Sequence, residues 1–458
     1  MIETEKLCAF LDAKKDDMVR DVMEFVKIPS VSSDIREVTR SLHFILALAT
    51  EMGFETRAVL DDQVGIIEFG EGKETLGILA HVDVVPASES EDWDNPPFEP
   101  VVNQGAIWGR GTMDDKGPII ASLYALKSVT SLGLPFHKKV QIVLGTQEEV
   151  EWTDMGTYVK EFPLPDYGFT PDGEFPLCNI EKGVGWVETA FKRFSAEDKG
   201  GCTGKYKIKS IDGGITRNMI PGECTAVLAI YGENGEEKDF KVTASGRAAH
   251  ACMPENGENA IVNLCHMLNA LPLVKNQASK AVEFVLEKFG DIYCSGIGLD
   301  GKPEYINGEY THKNTMSPTM IYTDETEIVI NVDMRIAYGT TTEEVLSAFE
   351  NRAQMSGGYV KGSRLMPVTY IDRQLPFMQA FACAYDKLSG MKNEFTLAPG
   401  GSYAKAMPNI VSWGPIFPGE EDKCHEMNEH ILIESLMKCS KIFAEAIAQI
   451  ALSEKSYL

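Results

Sequence analysis

Residues Thr75 to Val85 read T-L-G-I-L-A-H-V-D-V-V, an almost unbroken apolar run. Such a run suits a strand buried on both faces, the environment of a parallel sheet covered by helices. Val140 to Thr146 is a second strand of this kind, and Tyr167 to Thr170 a shorter third after the Met155 to Phe162 region. Stretches with helical spacing lie before and between them. Glu3 to Val26 reads as one amphipathic opening helix, and Glu37 to Met52 as a second that ends near Gly53. Thr56–Leu60 and Val64–Phe69 read as strands flanking an Asp-Asp turn, and Ser88 to Gly105 as a wet loop rich in Pro, Asp and Glu. Strands alternating with helices predict an α/β sheet with right-handed crossovers.

Past about Gly183 the pattern changes. Val184–Phe194, Thr225–Tyr231 and Glu327–Arg335 alternate like antiparallel strands, and Asn259–Leu271 has helical spacing. From about Leu375 helices and buried strands resume: a helix over Phe377–Ser389, a buried strand over Asn409–Trp413 and a closing helix over Ile431–Leu452. The simplest account is an α/β domain with a largely parallel sheet, made of residues 1–183 and 375–458. A second, α+β domain over 184–374 is inserted into it. A chain of 458 residues is long for a single core, which agrees with this division.

Composition narrows the function. The net charge of −25 argues against nucleic acid as a partner, since phosphate recognition needs a basic face. The longest apolar runs are too short to span a bilayer, and residues 1–25 lack a signal-peptide core. Ten scattered cysteines with no C-x-x-C pair read as reduced thiols in a cytoplasm.

The chemistry gathers around strand ends. Trp108 to Pro118 reads W-G-R-G-T-M-D-D-K-G-P, placing Asp114 and Asp115 on a glycine-rich loop. Pro118 fits the first turn of the apolar helix that follows, Ile119 to Leu132. A capping turn would also explain the two acids. His81 and Asp83 are two apart on the first buried strand and share a face at its carboxyl end, where ligands of open α/β sheets bind. His81 can offer a ring nitrogen to a metal, with Asp83 orienting that ring or a neighbouring base. Gln147-Glu148-Glu149 follows the second strand. Two consecutive residues of an extended chain point apart, so one carboxylate can bind a cation while the other serves proton transfer. Asp172, in T-P-D-G, ends the third strand, although Pro-Asp-Gly is also turn chemistry. His425 lies in F-P-G-E-E-D-K-C-H-E before the last helix. It is preferred over Cys424, because mixed His and carboxylate sets suit catalytic zinc whereas thiolates mark closed structural sites. Two histidines and several acids at successive strand ends fit two divalent cations sharing one carboxylate. Such a pair, ~3.5–4 Å apart, polarises a carbonyl and activates water. No G-x-S-x-G elbow, P-loop or dinucleotide fingerprint competes.

Together G-I-L-A-H-V-D-V-V-P, W-G-R-G-T-M-D-D-K-G-P, G-T-Q-E-E, T-P-D-G-E-F-P and F-P-G-E-E-D-K-C-H resemble the dinuclear-zinc amidohydrolases. That family includes aminoacylases, glutamate carboxypeptidases and small-peptide dipeptidases. The nearest branch is that of bacterial Xaa-His, carnosinase-type dipeptidases typified by peptidase V. The resemblance runs from Val26-Lys27-Ile28-Pro29-Ser30 to the final helix. It implies a zinc-exopeptidase-like catalytic domain with the 184–374 insertion as a lid. It implies two Zn2+, replaceable by Mn2+ or Co2+. Asp114 would bridge them, His81 and Asp172 would complete one site, and Glu149 and His425 the other. Glu148 becomes the general base, with Asp83 behind His81, and the Asp114–Asp115 peptide is expected to be cis. In the lid, His250 of G-R-A-A-H would steady the oxyanion, with Asn218 of T-R-N-M-I-P beside it. Arg335 of N-V-D-M-R and the Gly400-Gly401-Ser402 turn would hold a substrate carboxylate. Without the resemblance, His250 reads as an ordinary hydrogen-bonded residue and Arg335 as half of an ion pair on a sheet.

The turn departs from the family pattern Gly-Gly-Gly-Thr-Tyr-Ala-Arg. Here it reads Pro399-Gly400-Gly401-Ser402-Tyr403-Ala404-Lys405, and Lys does not reproduce the fork of Arg. A lid this large, by the resemblance, closes over its own chain, so a monomer is expected. The expected activity is a cytoplasmic metal-dependent dipeptidase. An N-acyl amino acid deacylase on the same metals is the first alternative. A non-catalytic binding protein of the same fold is the second.

Overall fold

A computed structural model describes residues 3–87, 93–193, 205–231, 237–301, 304–306 and 308–458. Ser88 to Asp92, at the start of the expected wet loop, and Phe194, at the end of an expected strand, lie outside them. The chain forms two compact units. One comprises 1–179, 371–396 and 402–458, and the other 180–370 and 397–401.

In the first unit a six-stranded sheet has the order Glu55–Val59, Val64–Phe69, Lys139–Gly145, Thr75–His81, Tyr167–Thr170, Ile410–Ser412. The last four run parallel, and the first two are antiparallel additions at one edge. Every residue of Thr75–His81 after the first is buried, as its apolar run requires. The strand stops at His81 rather than at Val85: Val82 makes the last bond to the neighbouring strand, and Val84 turns away to another segment. Val82 donates to the Gly145 carbonyl, and Val84 pairs with the segment around Val31. Helices Lys116–Thr130 and Ile433–Ala451 pack on each other within the main core. The opening helix is broken in two, Thr4–Ala13 and Lys15–Val26, because Lys14 departs from helical geometry with φ −102° and ψ 6°.

The edge strands are held by a charged network. Glu68 is buried, and Arg57 and Gln141 donate to it from the two neighbouring strands, with Lys139 Nζ 3.4 Å away. Burial pushes the Glu68 carboxyl up, but the hydrogen bonds from Arg57 and Gln141 and the nearby cations outweigh it, and its pKa falls below the usual value. A depressed carboxyl stabilises the fold above its unfolded pKa, about 4.3, and that contribution is lost as pH falls through the folded value. Glu68→Gln should therefore lower the denaturation midpoint at pH 7. The gap to wild type should narrow as pH drops below about 4; urea titrations across pH measure it.

The second unit is a seven-stranded antiparallel sheet. Its order is Glu237–Ser245, Glu223–Tyr231, Tyr206–Gly213, Thr315–Thr323, Glu327–Ile336, Gly183–Lys192, Tyr359–Met366. Helices Ala260–Asn269, Gln277–Phe289 and Thr342–Met355 pack on it and share its core. Asn259, read from the sequence as the first residue of a helix, is instead its N-cap, accepting from Ile261 and Val262. The chain is thus mixed α/β, with an α+β unit inserted into the sequence of the first.

Candidate metal centre

The site lies at the carboxyl ends of three parallel strands, completed by two loops. His81 ends its strand with its side chain 1% exposed. Its Nδ1 donates to the Asp83 carbonyl at 3.0 Å, which leaves the lone pair of Nε2 free to face Asp114. The Asp83 carboxylate lies 3.4 Å from Nδ1 and accepts from Ser32 Oγ at 2.7 Å. It also accepts the backbone N–H of Glu148 at 3.2 Å and of Glu149 at 3.4 Å. Asp83 therefore ties the His81 strand end to the Glu148–Glu149 loop.

That loop is fixed from its other side by Asp154. This carboxylate accepts from the backbone of Thr146 and Gln147 and from the Tyr403 hydroxyl at 2.7 Å. Gly145 must be glycine here, because a Cβ would meet the Tyr403 ring at 2.4 Å. The loop at Asp114 needs glycine too: Gly111 has φ +87°. Asp115 stands at the N-cap position of the Lys116–Thr130 helix, yet its side chain makes no capping bond. It accepts instead from the His81 N–H at 3.3 Å. Asp114 points away from the helix toward the histidines, so neither acid is explained as a cap. The Asp114–Asp115 peptide is cis.

The expected ligands converge. His81 Nε2 is 2.8 Å from Asp114 Oδ1 and 3.8 Å from Asp172 Oδ2. His425 Nε2 is 3.1 Å from Asp114 Oδ2 and 3.0 Å from Glu149 Oε2. The ligand atoms of His81, Asp114 and Glu149 all lie within 4.8 Å of one another, as do those of His81, Glu148 and Asp172. Asp114 thus offers one oxygen to the His81 side and the other to the His425 side.

The electrostatics fit a cation. His81 Nε2 and Asp114 Oδ1 are buried and face each other at 2.8 Å; burial opposes charging of His81, but Asp114 and Asp83 outweigh it and raise its pKa well above the usual value. Two lone pairs at that distance repel unless something positive lies between them. Glu148 is pushed well above the usual carboxyl range by burial and then by the charge of Asp172. Burial, then Asp114, raises Asp172 to about 8. Burial opposes the charging of His425, but hydrogen bonds to Asp114 and Glu149 dominate and raise it to about 12. The carboxylates outnumber the two histidines, and this set of N and O donors is of the kind that holds zinc, manganese or cobalt.

The remaining sequence candidates lie mostly in the second unit. His250 pairs with Met219 across a short two-stranded sheet, and Asn218 is adjacent, its carbonyl accepting from Ala251 at 2.8 Å. His250 Nδ1 accepts from the Cys252 backbone at 3.2 Å and is 2.8 Å from its Sγ, which puts the proton of a neutral ring on Nε2. Arg335 is buried, and its fork is closed on Asp333: Nε to Oδ1 at 2.9 Å and Nη2 to Oδ2 at 3.0 Å. Gly400 and Gly401 end the short segment of the second unit. Ser402 begins the next segment of the first and caps the Tyr403–Ala406 turn by accepting from Ala404. Sequence reasoning missed Ser32, Asp154, Glu429 and Arg110. Arg110 lies inside the W-G-R-G-T-M-D-D-K-G-P motif but its role, like those of the other three, depends on a contact made only in the fold.

The model of Peptidase family M20/M25/M40 matches residues 77–449. The Bacillus subtilis (strain 168) protein named Putative dipeptidase YtjP is 31% identical over 470 residues, covering 96% of this chain and 98% of that one. Among solved structures, the di-peptidase Dug1p of Saccharomyces cerevisiae has a TM-score of 0.64 at 14% identity, covering 99% of both chains. The Bacillus subtilis YXEP protein, described as a dinuclear metal binding peptidase, has a TM-score of 0.57 at 14% identity, covering 96% of this chain and 99% of that one. These last two likenesses bear on the fold. The match of the family model over most of the length, and the relative alignable end to end, place the chain in Peptidase family M20/M25/M40.

Proposed function

We propose that this protein is a metal-dependent dipeptidase that hydrolyses the peptide bond of short unsubstituted peptides, acting as a cytoplasmic monomer. The observation that carries the reading is the pairing of Asp114, one oxygen on each histidine side, with Glu148 beside it. His81 and Asp172 would hold one cation, Glu149 and His425 the other, and Asp114 both. Two bound zinc ions would polarise the scissile carbonyl and bring the pKa of water toward neutrality.

The protein groups supply the rest. Glu148, the carboxylate left over from metal binding, takes the proton of the attacking water and delivers it to the leaving amine. Burial and neighbouring charge raise its basicity, as a general base requires. Asp83 keeps His81 in the tautomer that turns Nε2 inward. In this reading residues 184–374 form a lid on the catalytic domain made of 1–183 and 375–458. His250 donates Nε2–H to the oxyanion, aided by Asn218, and the proton position set by Cys252 supports that role. Gly400, Gly401 and Ser402 would hold the substrate carboxylate with Arg335, whose Asp333 contact leaves the Nη1 side of the guanidinium for it. A carboxylate anchor on one side and the metals on the other limit the substrate to about two residues. The dipeptidase naming of the Bacillus relative supports the same substrate class.

Two measurements test this. In a panel of Ala-Ala, β-Ala-His and N-acetylated amino acids, the free-amine dipeptides should be cleaved and the acetylated set poorly. Cleavage of the acetylated set alone would make the protein a deacylase. His250→Ala should lower kcat by about 10²–10³-fold, the usual cost of an oxyanion donor, with metal content unchanged.

A further inference from the structure

Glu429 is a buried carboxylate on the segment that also carries His425, and the reading above gives it no part. Its two oxygens collect the backbone of the Asp114 loop. Oε1 accepts from Gly111 at 3.0 Å, Met113 at 2.9 Å and Asp114 at 3.2 Å. Oε2 accepts from Gly111 at 2.9 Å and from Arg110 Nη1 at 2.9 Å. Arg110 and Glu429 are each 1% exposed, so the ion pair is closed to water. The same Arg110 nitrogen reaches the Glu426 carbonyl at 3.2 Å, one residue past His425. Gly109 N–H in turn donates to the Glu429 carbonyl at 2.9 Å. The two loops, distant in sequence, are thus laced together at one carboxylate.

We propose that Glu429 is the positioning residue of the metal centre, fixing the spacing between the Asp114 carboxylate and the His425 ring. The proposal rests on the metal-binding reading above. Loop backbone that carries a ligand must be held to a few tenths of an ångström for coordination, and one anchor shared by two loops holds both at once. A glutamine would keep one acceptor oxygen but turn an NH2 toward Gly111 N–H or Arg110, so even this near-isostere should loosen the lacing.

The test is competition for zinc between the full-length protein and a chromophoric chelator, with thermal unfolding of the metal-stripped protein alongside. Glu429→Gln should weaken zinc binding by about 10–100-fold, the usual cost of removing an outer partner of a metal ligand. Glu429→Ala should weaken it further. Phe381→Leu, in the core of the same unit and away from the loops, controls for general destabilisation. It should lower the unfolding temperature and leave zinc affinity at the wild-type value. Wild-type affinity in Glu429→Gln, or an equal loss in Phe381→Leu, overturns the proposal. If wild type and Asp114→Asn bind zinc equally, the metal-centre reading itself has failed, and the role of Glu429 falls with it.

Discussion

Replacing Glu148 by alanine should lower kcat by about 10²–10⁴-fold, the range for loss of a general base, while the protein still retains its metals. The two effects separate because of how the Gln147–Glu149 loop is built. Glu149 faces His425 at 3.0 Å, whereas Glu148 lies with His81 and Asp172 and has no hydrogen bond to either histidine. The loop backbone is held by Asp83 and Asp154, not by the Glu148 side chain. Truncating Glu148 therefore leaves Glu149 in position. Steady-state kinetics paired with metal analysis of the same sample reads both. Turnover at the wild-type rate would remove Glu148 from the role of base. Loss of metal together with activity would make it a ligand.

Asp114→Asn should have the larger effect on the folded state. One carboxylate serves both histidine sides, at 2.8 Å and 3.1 Å, so neutralising it weakens both sites rather than one. Zinc affinity should fall by more than the ~10–100-fold cost of losing an outer partner. Wild type, with zinc at a hundred times the dissociation constant, should gain about 2.7 kcal/mol of stability per site. The variant should gain almost none of it. Thermal unfolding with and without added zinc measures the difference. A variant that keeps one site at full affinity would show that Asp114 belongs to a single cation.

The three buried strands and the acids at their ends were legible because burial on both faces leaves an apolar signature that side-chain pattern records directly. Thr75–His81, Lys139–Gly145 and Tyr167–Thr170 lie within a residue or two of their expected starts. The far end of the first was less legible: Val84 continues the apolar pattern but bonds to the segment around Val31. Helices Gln277–Phe289 and Thr342–Met355 went unread although both carry capping boxes, at Asn276 with Ser279 and at Thr341 with Glu344. Thr342–Met355 buries only Val345, Phe349 and Ala353, which leaves a faint period, whereas Gln277–Phe289 places Ala278, Ala281, Val282, Val285 and Phe289 at helical spacing and was there to be read.

At the site, His81, Asp114, Asp172, His425 and the Glu148–Glu149 pair could be nominated from their places beside strand ends and loops, and the resemblance alone singled out Glu149 as the ligand of that pair. What the sequence could not reveal was the support. Glu429 sits in an irregular loop, and its function depends on Gly111, Met113 and Asp114, more than three hundred positions before it in the chain. The contact between Arg335 and Asp333 was hidden differently. The residues are two apart on one strand, an arrangement as common in plain ion pairs as in substrate clamps.

In the proposed centre one aspartate holds two cations between a pair of histidines. Crystals of the zinc-loaded protein, measured at the zinc absorption edge, test it most directly. Two anomalous peaks ~3.5–4 Å apart are predicted, both touching Asp114, one flanked by His81 and Asp172 and the other by Glu149 and His425. A single peak, or peaks that Asp114 does not touch, would contradict it.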